Sequence, residues 1–296
     1  MEIKELELEM RNLEKEKSII DDKYNTLKRL LELYRNNNLP IDVSNVSIGD
    51  EVIIPHESMG NIPFIVIGKD HDAPNSVTLL TRDIVTCLAF DAKEPNNSDT
   101  SRQSYGNNRY KYSNILQWLN SDKAAGGWYS PQHTNDQAPS STDYVLHNPY
   151  TNIDGLLRGF SSDIVNQMIE VPKRTVISTV DGGGYEDVFS KIFLLSRTEV
   201  GLGNKNDIKE GYIYEYFSQD NTNEQRITYP SKFAVANTDY NPPSFVNVNS
   251  SWYWWLRTPN LSKTSYAHGV NSSGNLNTHE VYLGSSGVRF ALVLKK

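Results

Sequence analysis

A chain of 296 residues with 38% hydrophobic side chains has room for one large domain or two small ones. The net charge of −7, unbroken by any long Lys/Arg run, excludes an electrostatic footprint for nucleic acid, so no nucleic-acid partner is expected. The single cysteine, Cys87, excludes an intramolecular disulfide and a cysteine-based metal site, and within its apolar run it reads as a buried structural thiol.

Residues 1–38 read as one long helix. With Ile3, Met10, Lys17, Tyr24 and Leu31 at heptad a positions, the d positions fall on Leu6, Leu13, Ile20, Leu27 and Tyr34. A spacing of 3.5 predicts a coiled coil rather than an ordinary amphipathic helix, and only Lys17 interrupts the apolar seam. Flanking positions are acidic early (Glu7, Glu9, Glu14, Glu16, Asp21) and basic late (Lys23, Lys28, Arg35). A parallel homodimer would set Glu9 against Glu14, Glu16 against Asp21 and Lys23 against Lys28, all repulsive. The expected partner is therefore an antiparallel second copy or a helix of another protein in a bundle. Asn36 to Pro40 ends the helix, because Asn caps and Pro cannot continue. The charged N-terminus carries no signal-like apolar segment, and no run reaches membrane-spanning length, so synthesis in the cytoplasm without membrane insertion is expected.

A linker over 39–47 leads to a domain over 48–296. Residues 51–55, 62–68 and 76–81 read as strands of an antiparallel meander, separated by the turns at Gly60-Asn61 and Asp70 to Asn75. Ser113 caps a short helix carrying Ile115, Leu116, Trp118 and Leu119, and Ser161 starts another carrying Ile164, Val165, Met168 and Ile169. Between them, residues 121–160 form a long polar loop. Residues 187–195 read as a buried strand behind Gly182-Gly183-Gly184, and a short helix is expected near 211–217.

Three of the five tryptophans fall within Trp252-Tyr253-Trp254-Trp255, a run too apolar for a solvated surface; with Leu256 to Pro259 it reads as a strand buried on both faces. Val288 to Leu294 reads as a second buried strand. Between them lies a segment rich in Ser, Asn, Gly, Tyr and His, a composition close to that of antibody paratopes. Ligand contacts are therefore assigned to Lys263, Tyr266, His268, His279 and Tyr282, together with Asn260, Asn271, Asn275 and Asn277. Trp254, Trp255 and Arg257 read as scaffold.

The order of Ile48-Gly49-Asp50, the Ser113-capped helix, Trp254-Trp255-Leu256-Arg257-Thr258-Pro259 and Gly287-Val288-Arg289-Phe290-Ala291 resembles a family of uncharacterised bacterial and phage domains. Its hallmarks are W-W-L-R-[ST]-P and a closing G-V-R-P-A, in which Phe290 replaces the usual Pro. The resemblance covers about residues 45–296 and is most specific in the last fifty. It implies an α+β fold of the C-type-lectin-like group: a small twisted antiparallel sheet, short helices and long loops. It also implies a protein of a phage virion or phage-tail-like particle, anchored by the N-terminal helix and displaying a domain that binds a host-surface glycan or protein. The alternatives are a decoration subunit without ligand and a hydrolase-type enzyme on the same fold.

No catalytic, metal or cofactor residue is assigned. The chain lacks the disulfides and W-N-D calcium motif of classical lectins and the C-terminal cysteines of formylglycine-generating enzymes. Glu94-Pro95-Asn96 echoes a sugar-specificity triplet but lies far from the matching place. Asp70-His71-Asp72 reads as a solvated turn rather than a metal site. Asp181-Gly182-Gly183-Gly184 lacks the Lys-Ser/Thr of a phosphate loop.

Overall fold

Ile3–Asn36 contains neither Gly nor Pro and forms one continuous helix of 34 residues, α1. In the computed structural model, which describes residues 3–36, 40–139, 150–203, 209–237 and 246–296, the chain divides into two compact units, Met1–Pro40 and Ile41–Lys296. The coiled coil expected over 1–38 is not formed. Along the seam Ile3, Leu6, Met10, Leu13, Ile20, Tyr24 and Leu27 are exposed, so α1 stands as a single helix. The physical reason is that a coiled coil needs two long helices, and the other described α-helices have only 4 to 6 residues. The side chains of Leu31 and Tyr34 lie outside the described residues.

The second unit begins earlier than expected. Ile41 N–H donates to Gln167 Oε1 at 2.8 Å and Val43 is buried in the core, so the expected linker is packed from Ile41 onward. In chain order its elements are β1 (Glu51–His56), β2 (Gly60–Lys69), β3 (Ser76–Thr81), β4 (Thr86–Cys87), α2 (Thr100–Tyr105), α3 (Asn114–Leu119), α4 (Ser162–Gln167), β5 (Val171–Val176), β6 (Tyr185–Ser190) and β7 (Ile192–Phe193). Then come α5 (Glu215–Ser218), α6 (Lys232–Ala236), β8 (Trp254–Pro259), β9 (Tyr266–Val270), β10 (Leu276–Glu280), β11 (Gly287–Val288) and β12 (Ala291–Lys295). Ser113 and Ser161 cap α3 and α4, accepting from Leu116 N–H at 3.3 Å and Ile164 N–H at 3.4 Å.

The expectation of a C-type-lectin-like domain with one small antiparallel sheet is corrected. Among the described residues this is a mixed α+β fold with small helices and two five-stranded sheets, β1-β2-β3-β12-β7 and β10-β9-β8-β11-β4, plus the ribbon β5-β6. One pairing, β11 with β8, is parallel. The reason lies in the closing apolar run, which is two strands rather than one. Gly287 and Val288 pair with Cys87 and Thr86 in the second sheet, whereas Ala291 to Lys295 pair with β3 in the first. The chain changes sheets at Arg289-Phe290, where Arg289 Nε donates to Thr81 O at 2.7 Å and Phe290 N–H donates to Thr81 Oγ1 at 3.3 Å. The strand expected over 187–195 is likewise split, because Lys191 N–H donates to Asn120 Oδ1 at 3.0 Å and leaves the ladder.

β8 is buried along its whole length. Its alternating side chains enter different clusters: Trp255 packs with Phe64, Phe90 and Trp118, and Trp254 with Phe193, Tyr214 and Phe217. A Cβ on Gly269, opposite Trp255, would lie 2.7 Å from Trp254 O, so only glycine lets β9 approach this closely.

A charged network sits beside β8. Arg257 clamps Glu199 with Nη1 to Oε2 at 2.5 Å and Nη2 to Oε1 at 2.9 Å. Lys173 reaches Glu199 Oε1 at 3.0 Å, Asp72 Oδ1 at 2.7 Å and Tyr214 OH at 2.8 Å. Thr258 Oγ1 donates to Glu210 Oε2, whose Oε1 accepts from Val176 N–H at 2.9 Å. Burial alone would raise the Glu199 carboxyl, but Arg257 and Lys173 outweigh it and hold the group below its ordinary range.

Candidate ligand-binding face

β9 and β10 form a hairpin at the end of the second sheet, and among the described residues β9 is the one strand paired with β10. Asn271 builds the turn: its Oδ1 accepts from Ser273 N–H at 2.9 Å and Asn275 N–H at 3.0 Å, and Gly274 supplies φ +78°. The register sets Tyr266 opposite Glu280 and His268 opposite Thr278. Because side chains alternate, these four share one face, while Ala267, Asn277 and His279 take the other.

The exposed end of the first face is a rim of tyrosines and charges. Tyr266 OH donates to Glu280 Oε1 at 2.7 Å, and this bond pushes the phenol up to about 12. Lys263 Nζ lies 4.4 Å from the Tyr266 ring centre. Tyr282 and Tyr105 sit with ring centres 5.5 Å apart, and Lys93 Nζ lies 4.9 Å from the Tyr282 ring. Three of the assigned contacts, Lys263, Tyr266 and Tyr282, are thus brought to one rim. Lys93, Tyr105 and Glu280 complete it and were missed. Tyr105 and Lys93 precede the polar segment between the two buried strands by more than 150 residues, and no local pattern joins them to it; Glu280 follows His279 directly, and its alternation with Tyr266 was the available signal.

Further in, His268 is half-buried and its Nδ1 is buried without a hydrogen-bond partner. Burial, and then the nearby Arg197 guanidinium, lower its imidazole to about 4, against a weaker opposing hydrogen bond from the ring to the Asn277 backbone. Burial also lowers His56 and His279. A base with a depressed folded-state value stabilises fully above the unfolded value of 6.5 and loses that contribution as pH falls toward about 4. Asp91, Asp136 and Glu210, all raised, act in the opposite sense. The His268→Gln variant is therefore expected to lose stability less steeply than wild type between those two pH values. An unchanged slope in urea titrations at several pH values would refute this.

The remaining assigned contacts are structural in place. His279 packs edge-on against Tyr253 and Trp255, with ring centres 5.1 and 5.8 Å away. Asn260 Oδ1 accepts from Ser262 and Lys263 N–H at 3.0 and 3.1 Å. Asn275 Oδ1 accepts from Asn223 Nδ2 at 3.0 Å, and Asn277 Oδ1 accepts from Thr278 N–H at 2.8 Å. Asn108, buried, holds the loop below the rim: its Nδ2 lies 2.7 to 3.1 Å from the carbonyls of Asn260, Lys263 and Tyr266.

Of the turn Asp70-His71-Asp72, Asp70 is solvated as expected, but His71 and Asp72 are not. Asp72 is ion-paired to Lys173 with its side chain 9% exposed, and His71 stacks on Tyr214 at 4.2 Å. Glu94 of the Glu-Pro-Asn triplet is buried, accepting from Asn107 Nδ2 at 3.1 Å, with His133 Nε2 at 3.0 Å. Burial, with Asp136 and Glu94 nearby, raises the Asp91 carboxyl well above its ordinary range. Both Asp91 oxygens accept main-chain bonds, from Asn114 and Asn107 N–H at 3.0 Å each, so it acts as a scaffold for the 107–114 turn. Among the described residues no group of three or more His, Cys, Asp or Glu is arranged to hold a metal ion, and no helix is long and apolar enough to cross a membrane.

Comparison with protein families finds one model, a domain of unknown function (DUF6273), matching residues 75–296, about three quarters of the chain. The chain matches no curated protein and no solved structure.

Proposed function

Because this chain belongs to the DUF6273 family of domains of unknown function, we propose its role from its own side chains: a non-enzymatic binding protein whose β9–β10 rim takes up a surface glycan. The rim itself carries this reading. Tyr266, Tyr282 and the 38% exposed Tyr105 present aromatic surface beside Lys93, Lys263 and Glu280. The negative face of a tyrosine ring attracts the polarised C–H groups of a pyranose, while carboxylate and ammonium groups bond its hydroxyls. A lysine over an exposed ring contributes only about 0.5–1 kcal/mol, so a ligand displaces it at small cost. The resemblance to domains of phage virions and tail-like particles supplies the setting, with the exposed apolar seam of α1 as the attachment to another particle protein.

Tyr266→Ala and Tyr282→Ala are each expected to weaken binding to immobilised glycans by about tenfold or more, with the melting temperature close to wild type. Undiminished binding in both, or no glycan bound by wild type, would favour a decoration subunit without ligand. The buried Glu94 and Asp136 with His133 favour a second reading, an acid–base hydrolase. That reading expects glycan hydrolysis, abolished by Glu94→Gln.

A further inference from the structure

Resting on the glycan-binding reading, we infer that the rim selects a glycan carrying phosphocholine, with the trimethylammonium against Tyr266 and Tyr282 beside Glu280 and the phosphate on Lys93 or Lys263. The rim has an order of charge. Tyr266 and Glu280 sit opposite each other across β9 and β10, joined by the 2.7 Å bond from phenol to carboxylate. Tyr282 follows two residues after Glu280. Burial and then the Glu280 charge raise its phenol, and a hydrogen bond with Glu280 adds to this, so one carboxylate acts on both tyrosines. Tyr105 extends the row, its ring centre 5.5 Å from that of Tyr282. Each end carries a lysine, Lys263 against Tyr266 at 4.4 Å and Lys93 against Tyr282 at 4.9 Å. The order along the rim is therefore positive, aromatic, negative, aromatic, positive.

The middle of that order fits a quaternary ammonium. Such a cation has no N–H to donate, so a carboxylate in water holds it weakly by itself. Tyrosine faces attract it through their quadrupole and cover its methyl groups. The two lysines already lie against these faces, so the rings stand where they attract positive charge. Tyr266 donates its proton toward an anion, which leaves its ring richer in electrons. The ends of the order fit an anion. Among the described residues no carboxylate forms an ion pair with Lys93 or Lys263. A lysine on its flexible stem turns from an exposed ring to a phosphate at small cost. A bare cation would be repelled by the lysines and a bare anion by Glu280, whereas a zwitterion satisfies both signs. Phosphocholine also joins a sugar through its phosphate, which sets the charge pair on the outside of the polymer.

The test measures binding of the full chain to three dextrans, substituted with phosphocholine, with choline through an ether, and with phosphate alone. Wild type is expected to bind the first about tenfold or more tightly than either of the others, a factor that two exposed ring contacts and a charge pair together reach. Glu280→Gln keeps an acceptor for Tyr266 and removes the charge, and should erase the advantage over phosphate dextran. Lys93→Gln combined with Lys263→Gln should erase the advantage over choline dextran, and covers the case in which the Glu280 variant folds poorly. No preference for phosphocholine in wild type, or a preference that survives the variants, overturns the phosphocholine inference and leaves the tyrosine rim standing on other glycans. Retention by phosphatidylcholine vesicles with none on phosphocholine dextran overturns the glycan as carrier and assigns the headgroup to a membrane. Binding of no dextran and of no other immobilised glycan overturns both readings.

Discussion

Arg257→Ala is expected to cost about 3–5 kcal/mol of stability, the range for removing one partner of a buried ion pair. Arg257 is fully buried, and its Nη atoms serve Glu199 as well as the carbonyls of Leu194 at 2.8 Å, Arg174 at 3.2 Å and Glu210 at 3.3 Å. Truncation strands these acceptors together. Glu199 keeps Lys173 and the Ser196 N–H at 3.0 Å, so its charge is partly held, but the main-chain oxygens lose their donor. The loss approaches the lower end of the stability of an ordinary domain, about 5–15 kcal/mol. Arg257→Lys should recover part of it, since one ammonium donates three bonds where the fork reaches four groups. Urea denaturation decides: a loss below about 1 kcal/mol for Arg257→Ala would show that the clamp contributes little.

Trp255→Ala should cost a similar amount, about 3–5 kcal/mol, through cavity formation. The indole is completely buried, packs edge-on against Phe90 with ring centres 5.7 Å apart, and donates Nε1–H to Leu88 O at 2.8 Å. Its removal also leaves His279 without one of its two aromatic supports. Two effects are therefore expected: a lower unfolding free energy and faster amide exchange in β9 and β10. Trp255→Phe should restore most of the packing and none of the hydrogen bond. If exchange in the hairpin stayed at wild-type rates while stability fell, Trp255 would support the core alone and not the binding face.

Local chemistry was readable wherever a short stretch acts by itself. The length of α1 follows from a run without helix breakers, and Ser113 and Ser161 stand at their caps. The Trp254-Trp255 pair was legible as buried strand because no solvated alternation fits it. By contrast, Asp72 looked solvated in sequence. It is ion-paired and largely covered because Lys173, 101 positions away, reaches it, and no local pattern carries that pairing. The asparagines between the two buried strands have the composition of a binding surface, yet they bond turns and neighbouring loops of the fold. Asn side chains do either, and only geometry separates the two uses.

From residue identities alone came the long N-terminal helix, the buried aromatic strand and the Ser- and Asn-rich segment after it, each a matter of period or composition within a few turns of chain. Sheet membership was decided only in three dimensions. Val288 and Ala291 lie in one apolar run, but they pair with different sheets because Thr81 receives Arg289 and Phe290 between them. The rim was decided there too. Lys93 and Tyr105 meet Tyr282 because loops from distant parts of the chain pack against one hairpin. Such meetings depend on the summed packing of the whole core, which no window of sequence contains.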